Sequence, residues 1–214
     1  MSKINTKNIE GFKNRLKGGG ARPNLFEVSI PSFPAGISDK GTLWSKETRN
    51  DLRFLCKAAQ LPASTVAEIP VPFRGRILKV AGDRTFEPWT ITIINDEDFN
   101  LRSAFEGWMN TISDLSHGTG LANPSSYMTS AYVSQLGRGK NRNGDKHPAD
   151  NKEQIILRSY KFSGIFPTEV SAIDLSYDST DTIEEFTVTF QVQDFRIGKN
   201  EQGRDDGNAT PTLA

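Results

Sequence analysis

The stretch IPVPFRGRILKVAGDRTFEPWTITIIN, residues 69–95, decides the fold. Two extended segments, 74–80 and 89–94, flank the run AGDRTFEP, whose Gly82, Asp83 and Pro88 supply turn chemistry. Trp89, Ile91 and Ile93 alternate with Thr90, Thr92 and Ile94, the period-two signature of a strand with one apolar face. Asn95-Asp96-Glu97-Asp98 follows at once, and acids favoured at the positive end of a helix predict a helix start there. Strand, turn, strand and helix describe a scaffold. None of these residues is of a type chosen for reactivity.

Immediately downstream, the spacing predicts one long helix, Glu97 to about Leu115. Leu101, Phe105, Trp108, Ile112 and Leu115 recur at helical intervals with Met109 beside them, a broad stripe that should cover one face of a sheet. Upstream, Phe26, Val28 and Ile30 alternate as a first strand closed by Pro31 and Pro34. Leu52, Phe54, Cys56 and Ala58 resume the alternation as a second strand. The two are expected to pair as a hairpin across the polar segment 32–51, which is anchored by Leu43 and Trp44.

Towards the C-terminus, strands are expected at 127–136 and 155–162, with a turn at Phe166-Pro167-Thr168. A further strand over 170–177 would set Ile173, Leu175 and Tyr177 on one face. The cleanest pattern is 184–193: Phe186, Val188, Phe190 and Val192 on one side, Glu185, Thr187, Thr189, Gln191 and Gln193 on the other. Several short strands with turn signals and one helix predict a mainly β protein, a β-sandwich or barrel with one flanking helix. The expected core includes Phe54, Cys56, Trp89, Ile91, Phe105, Trp108, Phe186 and Phe190. That domain would span 21–197, between an N-terminal arm, 1–20, and a flexible C-terminal tail, 198–214. Ile4, Ile9, Phe12 and Leu16 could line a short amphipathic helix in the arm, tethered by Gly18-Gly19-Gly20.

Composition removes several function classes. Lys plus Arg and Asp plus Glu each total 26, so the formal net charge is +0 and there is no whole-chain basic footprint for gripping nucleic acid. A hydrophobic fraction of 36% with a mean hydropathy of −0.50 reads as a core diluted by polar loops and tails. Cys56 is the only cysteine, which excludes an intramolecular disulfide and suits a small core hydrophobe. No apolar run in the first 20 residues is long enough for a signal sequence or membrane span, so a soluble, cytoplasmically made chain without membrane contact is expected.

Chemistry finds little purchase. Asp96, Glu97 and Asp98 with His117 match no metal-ligand spacing, and a helix N-terminus explains the acids better. A nucleophilic triad has only His117 and His147 to draw on, both in polar loops, and no G-x-S-x-G elbow exists. Gly137-Arg138-Gly139-Lys140 lacks the spacing of a phosphate loop, so the basic residues of 137–153 read as a solvated or partner-facing loop. No catalytic residue, metal or cofactor is expected. Asp83 and Arg84 leave two readings open: a local turn with Phe86 folded into the core, or a tip that docks on a neighbour through the planar fork of Arg84.

Four segments, ARPNLF (21–26), CKAAQLPA (56–63), IPVPFRGR (69–76) and VAGDRTFEPWTITIINDE (80–97), resemble the tail tube protein of contractile-tailed bacteriophages. SAYVSQL (130–136), GIFPTEV (164–170), LSYDS (175–179) and IEEFTVTFQV (183–192) continue the likeness in the same order. The resemblance implies a fold shared with the tube proteins of type VI secretion and other contractile injection devices. It implies six-membered rings of this chain, stacked into a tube inside a sheath, with baseplate and tail terminator proteins as further partners and double-stranded DNA passing through. It favours the docking reading of the tip and makes Arg22, Asn24, Asp83, Arg84 and Thr85 candidate inter-subunit contacts. A bore must not hold DNA, which makes Glu185, Thr187, Thr189, Gln191 and Gln193 the candidate lumen face, the other reading of the stripe being an ordinary outer face. The loops 32–51 and 137–153 and the tail would then lie towards the sheath or between rings. Two competing readings stand beside it: the inner tube of a contractile injection or secretion system that delivers protein rather than DNA, and a monomeric ligand-binding β-sandwich, which would need an exposed aromatic patch from Trp44, Tyr127, Tyr132 and Tyr160.

Overall fold

The computed structural model describes residues 9–16, 19–37, 43–137 and 156–198. Along the chain run α1 (Ile9–Arg15), β1 (Phe26–Ser29), α2 (Lys46–Leu55), β2 (Cys56–Ala59), β3 (Ser64–Phe73), β4 (Arg76–Phe86) and β5 (Trp89–Ile94). Then come α3 (Asn100–Ile112), α4 (Pro124–Tyr127), β6 (Thr129–Leu136), β7 (Ile156–Val170), β8 (Glu185–Gln191) and β9 (Asp194–Ile197). The main sheet has the order β1-β6-β7-β8-β5-β2, with β9 also on β7, while β3 and β4 pair only with each other.

One strand serves both layers. Residues 156–165 of β7 pair with β6, and 160–163 also with β9, whereas 166–170 pair with β8. Just before the changeover Gly164 takes a φ of +61°, and a side chain there would run into Gln193. The expected turn at Phe166-Pro167-Thr168 is therefore part of a continuous bent strand. Its proline is accommodated at a register shift on β8.

The core is an aromatic seam between the sheet and α3. Trp89 stacks on Phe162 at 4.6 Å and lies 5.3 Å from Phe190; Phe190 meets Phe105 and Trp108; Trp108 meets Phe33, which stacks on Trp44 at 4.1 Å. Each indole N–H in the chain donates to a backbone carbonyl: Trp44 to Ile30, Trp89 to Gln60 and Trp108 to Tyr127. The rings thus bury their area without orphaning a polar hydrogen.

Several expectations are corrected. Residues 46–55 form a helix, so Phe54 is not core: it is 85% exposed. Ser45 accepts a hydrogen bond from the Thr48 amide as N-cap, and Thr48 and Leu52, four apart, supply the buried stripe. Alternation at 52, 54, 56 and 58 merely straddled a helix end and the short strand after it. Nor do β1 and β2 pair with each other, since β1 lies on β6 and β2 on β5.

The long helix is shorter at both ends. Asp96–Asp98 form a turn, Phe99 caps it in the left-handed region at φ +55°, and the carboxylates contribute no side-chain cap. At the other end the 113–119 loop closes on itself, with the Asp114 amide donating to Thr119 O, so Leu115 is exposed rather than in the stripe. Residues 171–184 are not a strand, and Leu175 and Tyr177 are fully open to solvent. Replacing Trp108 by Ala should cost about 3–5 kcal/mol, whereas Phe54→Ala should move the isolated subunit by no more than about 0.5 kcal/mol. Urea unfolding of both variants checks the pair; equal losses would contradict the helix over 46–55.

Candidate functional site

Residues 64–86, which include the first part of the stretch 69–95, form a free-standing ribbon, while Trp89–Ile94 joins the main sheet. β3 and β4 pair from Phe73↔Arg76 back to Ser64↔Phe86. Arg74 and Gly75 make the turn with φ of +45° and +83°, the pair of positive values that a two-residue type I′ connection needs. Asp83, Arg84 and Thr85 therefore do not sit at a tip. They lie in the middle and base of β4, exposed, with Thr85 opposite Thr65 and Arg84 opposite Val66. The Gly-Asp pair does not mark a turn, because Gly82 serves a bulge. The register shifts between Val66 and Glu68, and a side chain at Gly82 would press on Ala67 O at 3.0 Å. Phe86 does not enter the main core; half-buried, it packs edge-on against Phe195 at 5.5 Å and roots the ribbon on β9.

Alternation from a turn-closing hydrogen-bonded pair at 73 and 76 points the backbone of residues 70, 72, 77 and 79 away from the partner strand. Pro70 and Pro72 occupy two of those places, so the outer margin of β3 lacks two donors while that of β4 keeps them.

Arg22 and Asn24 belong elsewhere, in the exposed turn before β1. There Arg22 O accepts from the Leu25 amide and from Gln135 Nε2. Among the described residues no hydrogen bond or ion pair joins them to Asp83, Arg84 or Thr85.

The polar stripe of β8 is a real face. Phe186, Val188 and Phe190 point into the core, leaving Glu185, Thr187, Thr189 and Gln191 outward. Cross-strand neighbours extend it with residues the sequence reading did not assign: Thr92 opposite Thr187, Thr90 opposite Thr189 with hydroxyls 3.4 Å apart, and Glu169 on β7. The alternation of Thr90 and Thr92 with Trp89, Ile91 and Ile93 carried that signal. Lys57 is ion-paired to Glu185 at 2.5 Å, leaving Glu169 as surplus negative charge. Gln193 departs from the stripe: it follows the end of β8, donates its amide to Ser163 O and lays its side chain over Gly164.

A second charged surface was not foreseen. Glu47, Asp51, Asp96 and Asp98 line a depression beside Phe54 and Asn100. Burial, then the charges of Asp96 and Glu47, raise the Asp51 carboxyl above its ordinary range. His117 instead pairs with Asp114 at 3.0 Å, and hydrogen bonds from Ser116 and His117 hold that carboxyl below its usual range. Among the described residues no three His, Cys, Asp or Glu groups are placed to hold a metal ion, and no helix is long and apolar enough to cross a membrane. Of the aromatic patch that a ligand-binding sandwich would need, Trp44 and Tyr132 are buried. The basic residues of 138–153, His147 and the tail beyond Gly198 lie outside the described residues.

A family model described as phage tail tube protein matches residues 21–198. The chain belongs to the phage tail tube protein family. This tail tube chain is 33% identical over 172 residues to tail tube protein gp19 of Enterobacteria phage T4, covering 80% of this chain and 88% of that one. Against the tail tube protein of Serratia phage KSP90 the identity is 26% over 181 residues, 84% and 90% of the two chains. A solved structure of the anti-feeding prophage tube-terminating cap has the same fold at a TM-score of 0.53, with 14% identity over 83% of this chain and 90% of that one.

Cys56 of the tail tube chain is buried, and desolvation pushes its thiol up to about 12. Because the folded value lies above the unfolded one, the neutral thiol is favoured at all lower pH and that contribution fades only as pH rises towards 12. A colorimetric disulfide reagent at pH 8 should leave native protein unlabelled and label it fully in denaturant. Rapid labelling of the native chain would contradict this burial.

Proposed function

We propose that six copies of this chain close into a ring and that the rings stack into a hollow tube inside a contractile sheath, conducting double-stranded DNA without performing chemistry. The observation that carries the reading is a subunit left incomplete by its own fold, in a member of a tail tube family. The β3–β4 ribbon stands clear of the main sheet, apolar and exposed, and one of its margins keeps every donor. A neighbour's strands would complete it, hiding an edge that a monomer would have to blunt. In this reading Asp83, Arg84 and Thr85 on the ribbon, and Arg22 and Asn24 before β1, meet adjoining subunits. The sheath, baseplate and terminator proteins are the remaining partners, and the virion tail is the destination.

The outer face of β8 and its neighbours lines the bore. Threonine hydroxyls dominate it, and among the described residues its lysine, Lys57, is paired to Glu185, so these offer DNA phosphates no free cation with which to release counterions. A free positive lining would grip the polymer it has to pass. The injection-device alternative, with protein as cargo, has no comparable support: the phage relatives are far more similar in sequence than the solved sheath/tube terminator of an extracellular contractile injection system, which is 12% identical. Phage particles carrying Thr187→Lys with Thr189→Lys should eject DNA several-fold more slowly, most visibly at low salt. An unchanged ejection rate from particles with tubes of normal length would remove these residues from the bore.

A further inference from the structure

The ribbon has two unlike faces. Pairing sets Ile69 against Val80, Val71 against Leu78 and Phe73 against Arg76, so five exposed apolar side chains share one side. The other side carries the Glu68–Lys79 ion pair at 2.8 Å, the two prolines and Ile77 opposite Pro72. A two-stranded ribbon alone in water is marginal, and an apolar patch on it signals a surface to be covered. Its tip is basic as well as apolar. Arg74 lies over the Phe73 ring at 5.5 Å, Arg76 and Ile77 follow, and no acidic residue occurs from Pro70 to Gly82.

The same chain presents the complement. Among the described residues, none of Glu47, Asp51, Asp96 and Asp98 makes a salt bridge, and Asp96 Oδ1 is buried without a hydrogen-bond partner. Phe54 stands beside them uncovered on the outer side of α2. Here are carboxylates with no salt-bridge partner among the described residues and a bare aromatic ring; the ribbon tip offers positive charge and bare apolar groups.

We infer that the ribbon tip of one copy seats in this depression of a second copy, with Phe73 against Phe54 and with Arg74 and Arg76 among the carboxylates. The identity of the occupant rests on the tube reading above. Guanidinium groups suit the role because their planar forks pair with carboxylates in two-point fashion. Donor and acceptor are different surfaces of one chain, so each copy gives one contact and takes one. Such a head-to-tail joint propagates into rings or helical stacks rather than stopping at a dimer.

Charge exchange tests the joint. One chain carries Arg74→Glu with Arg76→Glu, and the other carries Glu47→Arg with Asp98→Arg. Each alone should lose polymer in sedimentation and negative-stain microscopy while keeping its circular dichroism. Mixed in equal amounts they should regain it, because the acidic tip now meets the basic pocket and the native tip meets the native pocket. A covalent check uses Phe54→Cys with Phe73→Cys in one chain, since native Cys56 is too buried to compete. Mild oxidation of assembled protein should give a reducible ladder of multimers that neither single variant gives.

Variants that assemble as well as wild type, folded variants that fail to rescue each other, or assembled double-cysteine protein without a ladder would each overturn the joint and leave the tube reading standing. A ladder from Phe54→Cys with Phe12→Cys would assign the depression to the N-terminal arm and equally overturn it. Wild-type chain that yields no rings or tubes under any nucleation would sink both readings, and it is recognised by the behaviour of the unmutated protein.

Discussion

Everything in this subunit hangs on β7 belonging to two sheet stretches at once. Its first part pairs with β6 and β9 and its last part with β8, and the bend between them is possible only because position 164 is glycine. That bend sets the two halves around Phe162, Phe190 and Trp89, and α3 closes the remaining side with Phe105 and Trp108. Close packing of interlocked rings tolerates little shift in any member. The outward faces inherit their places from this core. The polar stripe of β8 exists because its alternate residues are committed to the seam.

Rigidity is also supplied where the layers are joined by loops. Arg102 on α3 donates to Ser171 O at 3.1 Å, pairs with Glu106 and lies over the Phe186 ring at 5.4 Å. One side chain thereby ties the helix to the chain leaving β7 and to the start of β8. Buried Ser134 and Ser159 share a hydroxyl contact of 3.1 Å across β6 and β7, so these two polar groups inside the sheet satisfy each other. Against this firm body the ribbon stands apart, rooted through Phe86 on Phe195.

What the sequence disclosed and what it hid divide along physical lines. Strands with one buried and one wet face announced themselves, because alternation is a direct imprint of that environment: Trp89–Ile94 and Glu185–Gln191 are the cases. The ribbon gave no such signal. Both its faces meet solvent in the single chain, and its one apolar face was obscured by two prolines, a glycine at a bulge and a charged turn. Phe54 failed for a different reason. A helix ending in a short strand places residues at 52, 54, 56 and 58 in apparent alternation, while the decisive evidence, the Ser45 cap and the 48–52 stripe, lay in a segment read as loop. Asp51 and Asp96 lie far apart in the chain, so the acidic depression they share is a product of tertiary structure that no local window contains.

The proline-bearing margin of β3 has a consequence for the life of the subunit before it is built into anything. Long polymers are made from crowded pools of precursor, and exposed apolar strands in such a pool are prone to stack into fibrils. Two missing amide hydrogens on one border of the ribbon deny that stacking a template, while the opposite border stays receptive. Backbone chemistry thus makes the exposed element one-sided: available for orderly addition, resistant to indiscriminate precipitation.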